Sequence, residues 1–133
     1  MFVTRLQWDH WEGLHDNGGS IAHPTAFQIE KAIRNMDGLH KTMVILGADN
    51  GAFLGVGGGN NGRYVVSVTL DNGIIYTVIQ QGDYAESEVS FNSGGQTANY
   101  PAEECVNLES ALHAARAFSM DGSLQPTLQW RQD

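Results

Sequence analysis

Three Asx-Gly turns punctuate the middle of this 133-residue chain: Asp49-Asn50-Gly51, Asn60-Asn61-Gly62 and Asp71-Asn72-Gly73. Each separates two runs rich in β-branched and aromatic residues. Asn-Gly and Asp-Gly accept the positive φ that a tight hairpin needs, so their placement fixes where strands reverse. The runs they join, KTMVILGA, AFLGVGG, RYVVSVTL and IIYTVIQ, read in order as four strands of an antiparallel meander.

The flanks add helices and shorter strands. FVTRLQW sets Val3 and Leu6 among polar neighbours and reads as a short strand, whereas DHWEGLHDNGGS reads as a loop. Pro24 opens a helix, where its missing N–H is harmless. Thr25 and Gln28 have capping-box spacing. Ile29, Ala32, Ile33 and Met36, with Ala26, make its apolar stripe, and Asp37-Gly38 ends it. Residues 86–100 add one or two short strands around Ser93-Gly94-Gly95. Asn107 caps a second helix whose stripe is Leu108, Ala111, Leu112, Ala115 and Phe118, and Asp121-Gly122 stops it. In the tail, Leu124, Leu128 and Trp130 stand among polar residues, and Pro126 confines a strand there to an edge or a start. The expected architecture is α+β, as a single domain over residues 1–133. It has an antiparallel meander sheet of about five to seven strands, with two helices packed on one face.

Hydrophobic residues make up 41% and charged residues 17%, which excludes a disordered chain. No apolar run approaches the length of a bilayer-crossing helix, and the N-terminus lacks the charged-then-apolar pattern of a secretory leader. The single cysteine, Cys105, excludes an internal disulfide and a multi-thiolate metal site. A cytoplasmic protein is expected.

Charge narrows the partners. Seven Lys+Arg against fifteen Asp+Glu leave a net charge of −8. Residues 64–115 contain no cation but hold Asp71, Asp83, Glu86, Glu88, Glu103, Glu104 and Glu109. Nucleic acid and anionic membranes are excluded as partners, because both require cations. A basic partner is favoured, since opposite charge steers association.

The chemical motifs are weak. Gly57-Gly58-Gly59-Asn60-Asn61-Gly62 matches G-x-G-x-x-G but leads into a strand rather than a helix, so Gly57, Gly59 and Gly62 are read as structural turn residues. His10-Trp11-Glu12 matches half of a zinc deaminase signature, whose other half needs two further thiolates. His10, His15 and His23 lie among Asp9, Glu12 and Asp16 without the spacing of a metal site. Cys105 follows Glu103 and Glu104, and acidic neighbours raise a thiol pKa. No nucleophile elbow, Walker motif or H-E-x-x-H occurs. No catalytic residue, metal or cofactor is therefore expected, and the chain is not read as an enzyme. Asp83, Tyr84, Glu86 and Glu88 mix acids with an aromatic and, with Glu103 and Glu104, are the expected partner-binding residues. Trp130 is expected to pack on the sheet and hold the C-terminus.

Taken in order, the Pro-led helix, MVILGADNGAFLGVGGGNNGRYVVSV, GGQTANYP, VNLESALHAARAF and GSLQPTLQW resemble the immunity proteins of bacterial polymorphic toxin systems. The likeness is to the family marked by a C-terminal tryptophan and found beside deaminase toxins. The resemblance places the marker at Trp130. It implies a cytoplasmic antitoxin that binds a cognate toxin, most simply a nucleic-acid cytosine deaminase, and occludes its basic active-site cleft. The competing reading is a small-molecule- or metal-binding domain built on the His-rich N-terminal loop and the glycine hairpin.

Overall fold

The structure, a computed structural model, describes residues 1–80, 82 and 87–133. The chain runs β1 (Val3–Trp8), β2 (Trp11–Glu12), β3 (His15–Asp16), β4 (Gly19–Ala22), α1 (Ala26–Arg34), β5 (Met43–Ala48), β6 (Phe53–Gly58), β7 (Tyr64–Thr69) and β8 (Ile75–Ile79). It continues through β9 (Glu88–Ser93), β10 (Gln96–Pro101), α2 (Leu108–Asp121) and β11 (Gln129–Gln132). The three Asx-Gly turns join β5 to β8 as a continuous meander. That meander is the centre of a seven-stranded antiparallel sheet ordered β11-β8-β7-β6-β5-β1-β4. The α+β expectation, with a meander sheet and two helices on one face, holds.

Alternation along the strands decides which face is covered. Leu6, Leu46, Leu54 and Val68 lie in register across four strands, with Val44, Val56 and Val66 in the next row. All seven are essentially fully buried, together with Ile29 and Ile33 of α1 and Ala111, Ala115 and Phe118 of α2. Each large side chain removed from water in this way contributes about 1.5–3 kcal/mol. Val3 and Leu6 are three apart, yet both point inward. A register shift between Val3 and Arg5 inserts one extra residue in β1, and such a bulge resets the alternation.

Both helices are capped as their sequences specify. Thr25 and Gln28 exchange side-chain and backbone bonds in a capping box, and the Asn107 side chain accepts from Ser110 N at 2.8 Å. Glu30 of α1 accepts from Arg34 and from Arg116 of α2 at 3.0 and 2.9 Å, tying the two helices together. α1 ends at Arg34, earlier than the expected Asp37-Gly38. Asp37 instead accepts three backbone N–H groups, from Leu39, His40 and Lys41, which turns the chain away.

Two further corrections concern the N-terminal segment read as a loop. It forms the small β2–β3 hairpin and then β4, which pairs with β1 at the sheet edge. β4 has only four residues and one large apolar side chain, Ile21, so it carries almost no pattern. The glycine-rich turn between β6 and β7 is a close-packed joint. Gly59 has φ 97, and a Cβ there would lie 2.9 Å from Met36 Cβ. A Cβ on Gly57 would overlap the Ser93 hydroxyl, while Gly62 faces open space.

Candidate functional site

The face of the sheet away from the helices is the one left for function. Side chains directly opposite in an antiparallel pair point to the same side. Register therefore places Gln7, Ile45, Gly55, Ser67, Thr77 and Arg131 in one row across β1, β5, β6, β7, β8 and β11. Arg5, Gly47, Phe53, Thr69 and Ile75 make the next row. Among the described residues, the β9–β10 hairpin folds over one end of the face: its Ser93 approaches Gly57, and Gly94 meets Met43.

At the β8–β11 edge of this face, three carboxylates gather round one guanidinium. Arg131 donates to Asp133 at 2.9 Å, to Glu104 at 3.1 Å and to Glu103 at 3.5 Å. Those bonds, that with Asp133 first and Glu104 next, raise the Arg131 pKa further. Asp133 also accepts from the Thr77 hydroxyl at 2.6 Å. The hydroxyl first, and then Arg131, hold the Asp133 carboxyl below the usual carboxylate range. Three negative charges against one positive leave this edge net acidic. Gln80 N donates to Glu103 O, and Ala102 N donates to Ser87 O, so residues 102–104 are stitched to both flanks of residues 81–86.

Of the sequence-derived contact residues, Glu103 and Glu104 therefore sit together at the acidic edge, with Glu104 the more buried of the two. Glu88 is exposed at the start of β9, opposite Pro101 and one residue from that segment. Asp83, Tyr84 and Glu86 lie outside the described residues. Trp130 packs against the core from β11, and its indole N–H donates to Gln125 O at 3.0 Å. What the sequence reading missed is the open face itself. The signal was the outward alternation Phe53, Gly55, Gly57 within AFLGVGG.

The His-rich segment is organised otherwise than as a ligand cluster. Asp9 is buried and accepts from Thr42 N at 2.7 Å, Met43 N at 2.9 Å, Trp11 Nε1 at 2.9 Å and the Thr42 hydroxyl. Asp16 accepts from His10 N and Gly18 N. Both carboxylates are thus engaged in shaping the backbone. Among the described residues, no three His, Cys, Asp or Glu side chains converge as metal ligands would. Cys105 lies against Pro101 O, and burial, more than any charge, pushes its thiol pKa up. Among the described residues, no helix is long and apolar enough to cross a membrane.

A family model described as Immunity protein Imm1 aligns with residues 17–132. No curated protein matches the chain.

Proposed function

The chain belongs to the immunity protein Imm1 family, and on that premise we propose that it neutralises a nucleic-acid cytosine deaminase by covering the toxin's basic active-site cleft. The observation that carries this reading is the crowding of Glu103, Glu104 and Asp133 around a single guanidinium at the border of an uncovered sheet face. A cleft that binds nucleic acid must be lined with cations, and an acidic edge answers that lining without any chemistry of its own. Glu88, Glu103 and Glu104 are the proposed contacts, together with Asp83, Tyr84 and Glu86 from the neighbouring segment. In this reading the protein is a single-domain, cytoplasmic, non-enzymatic inhibitor that needs no cofactor. An interface of about 1,600 Å², the standard size, suffices to exclude substrate.

The test is direct. The toxin domain encoded beside this chain is purified and assayed for conversion of cytosine to uracil in single-stranded DNA and RNA oligonucleotides. Equimolar addition of this protein is expected to abolish turnover, and the protein alone is expected to release no product. Full toxin activity in the presence of excess protein would overturn the reading.

A further inference from the structure

We propose that the toxin docks flat on the uncovered face of the sheet, centred on Gly55, rather than on the helical side. This deepens the immunity reading and rests on it. Gly55 lies mid-strand in β6, the central strand of the seven. Its backbone is not in the left-handed region, and a Cβ added to it would meet nothing within 4 Å. Among the described residues, nothing therefore requires glycine there. An interior strand glycine destabilises by about 0.5–1 kcal/mol relative to alanine. Pairing runs in unbroken register through Gly55 on both sides, so no bulge accounts for it, and close approach of another chain or ligand is the remaining use of such a glycine in an open sheet.

Three further observations point to a protein surface as the occupant, and to a basic one. Phe53 and Ile75 are 41% and 39% exposed. They flank Thr69 in a single row one step from Gly55, so an apolar centre is already laid out. The Asx-Gly turns after β5 and β7 place Asp49 and Asp71, both exposed, at the end of the sheet where Phe53 and Ile75 lie. Asp133 and Glu103 border the β8–β11 side. An apolar centre with a charged rim is the anatomy of a protein interface, and with Asp49, Asp71, Glu103 and Asp133 against Arg5 and Arg131 the rim is acidic on balance, which favours a cationic partner. At the far end of the face the β2–β3 and β9–β10 hairpins border an open groove of about 430 Å³, lined by Gln7 and Ile45 of the sheet and by Trp11 and Gly94 of the hairpins.

The experiment compares wild type, Gly55→Phe, Ile75→Asp and Phe27→Ser for binding to the toxin domain encoded beside the chain. Calorimetry reads affinity, and circular dichroism with thermal melting reads the fold. Phe27 is 72% exposed on α1 and is the control for the helical side. Gly55→Phe projects a ring into open space and is expected to keep the fold while losing on the order of 100-fold in affinity. Ile75→Asp is expected to weaken binding on a retained fold and serves in place of Gly55→Phe if that variant misfolds. Phe27→Ser is expected to bind as wild type does. Wild-type affinity in the folded open-face variants, loss of binding only in Phe27→Ser, or a stable homodimer that Gly55→Phe dissociates would each overturn the docking proposal while leaving the immunity reading standing. Failure of the wild-type protein to bind the toxin would instead overturn the immunity reading, and this inference with it.

Discussion

Asp9 shows what a single residue does when its partners are distant in sequence. By position it belongs with His10, Glu12, Asp16 and the other histidines of a polar segment. In the fold it is 6% exposed and fastens β5 to the end of β1 through Thr42 and Met43, thirty-odd residues away. No pattern of residue types near position 9 encodes that contact, because beside the nearby Trp11 indole its donors are two backbone N–H groups and a hydroxyl from the chain entering β5. Removing the carboxylate leaves the Thr42 and Met43 N–H groups without an acceptor. Each buried donor left unpaired costs about 1–3 kcal/mol. Asp9→Ala is therefore expected to lower unfolding stability by about 2–6 kcal/mol, read as a shift in the urea midpoint at unchanged slope. An unchanged midpoint would show that water replaces the carboxylate. Gly55 is the opposite case. Its identity was plain in the sequence, and only the fold shows that no described residue stands over it.

At the scale of elements, legibility followed redundancy. The four meander strands were marked twice, by turn chemistry and by β-rich runs, and both helices were marked by cap and stripe. β4 and the β2–β3 hairpin had neither mark. β4 forms because β1 offers it an edge, and the β2–β3 hairpin forms because Asp16 folds its own loop. β11 lies between these cases. Pro126 and Trp130 indicated an edge strand, but its partner, β8, is known only from the fold. Asp133 also helps to hold it, through Thr77 and Arg131. Because the folded state holds the Asp133 carboxyl below its unfolded value, the stabilisation is present above about pH 4. It is lost as pH falls through the unfolded and then the folded value. Amide exchange in β11 is expected to accelerate as pH drops from about 5 to 2.5, after correction for the intrinsic rate. Asp133→Asn is expected to remove most of that acceleration. If exchange in β11 is as pH-dependent in the variant as in wild type, the clasp is not what holds the strand.

For the whole molecule, net charge was legible and its distribution was not. The cation-free stretch locates the acids in sequence, yet Arg131, from outside it, folds back onto Glu103 and Glu104. On the helical side, Glu30 is taken up by Arg34 and Arg116. Acids thus remain both around the uncovered face and on α2, and this makes a local claim distinguishable from a global one. Glu103→Lys and Glu109→Lys change the net charge by the same amount, but Glu103 borders the open face while Glu109 projects from the start of α2 with its side chain 79% exposed. Steering by the protein's overall charge would slow association with the toxin equally in both variants. Steering by the rim predicts about a tenfold slower association for Glu103→Lys at low salt, with little change for Glu109→Lys. The gap should close as added salt shortens the screening length from roughly 30 Å at 0.01 M to about 8 Å at 0.15 M. Stopped-flow association rates across that range separate the two, and equal slowing by both substitutions would mean that the rim has no special part in capture.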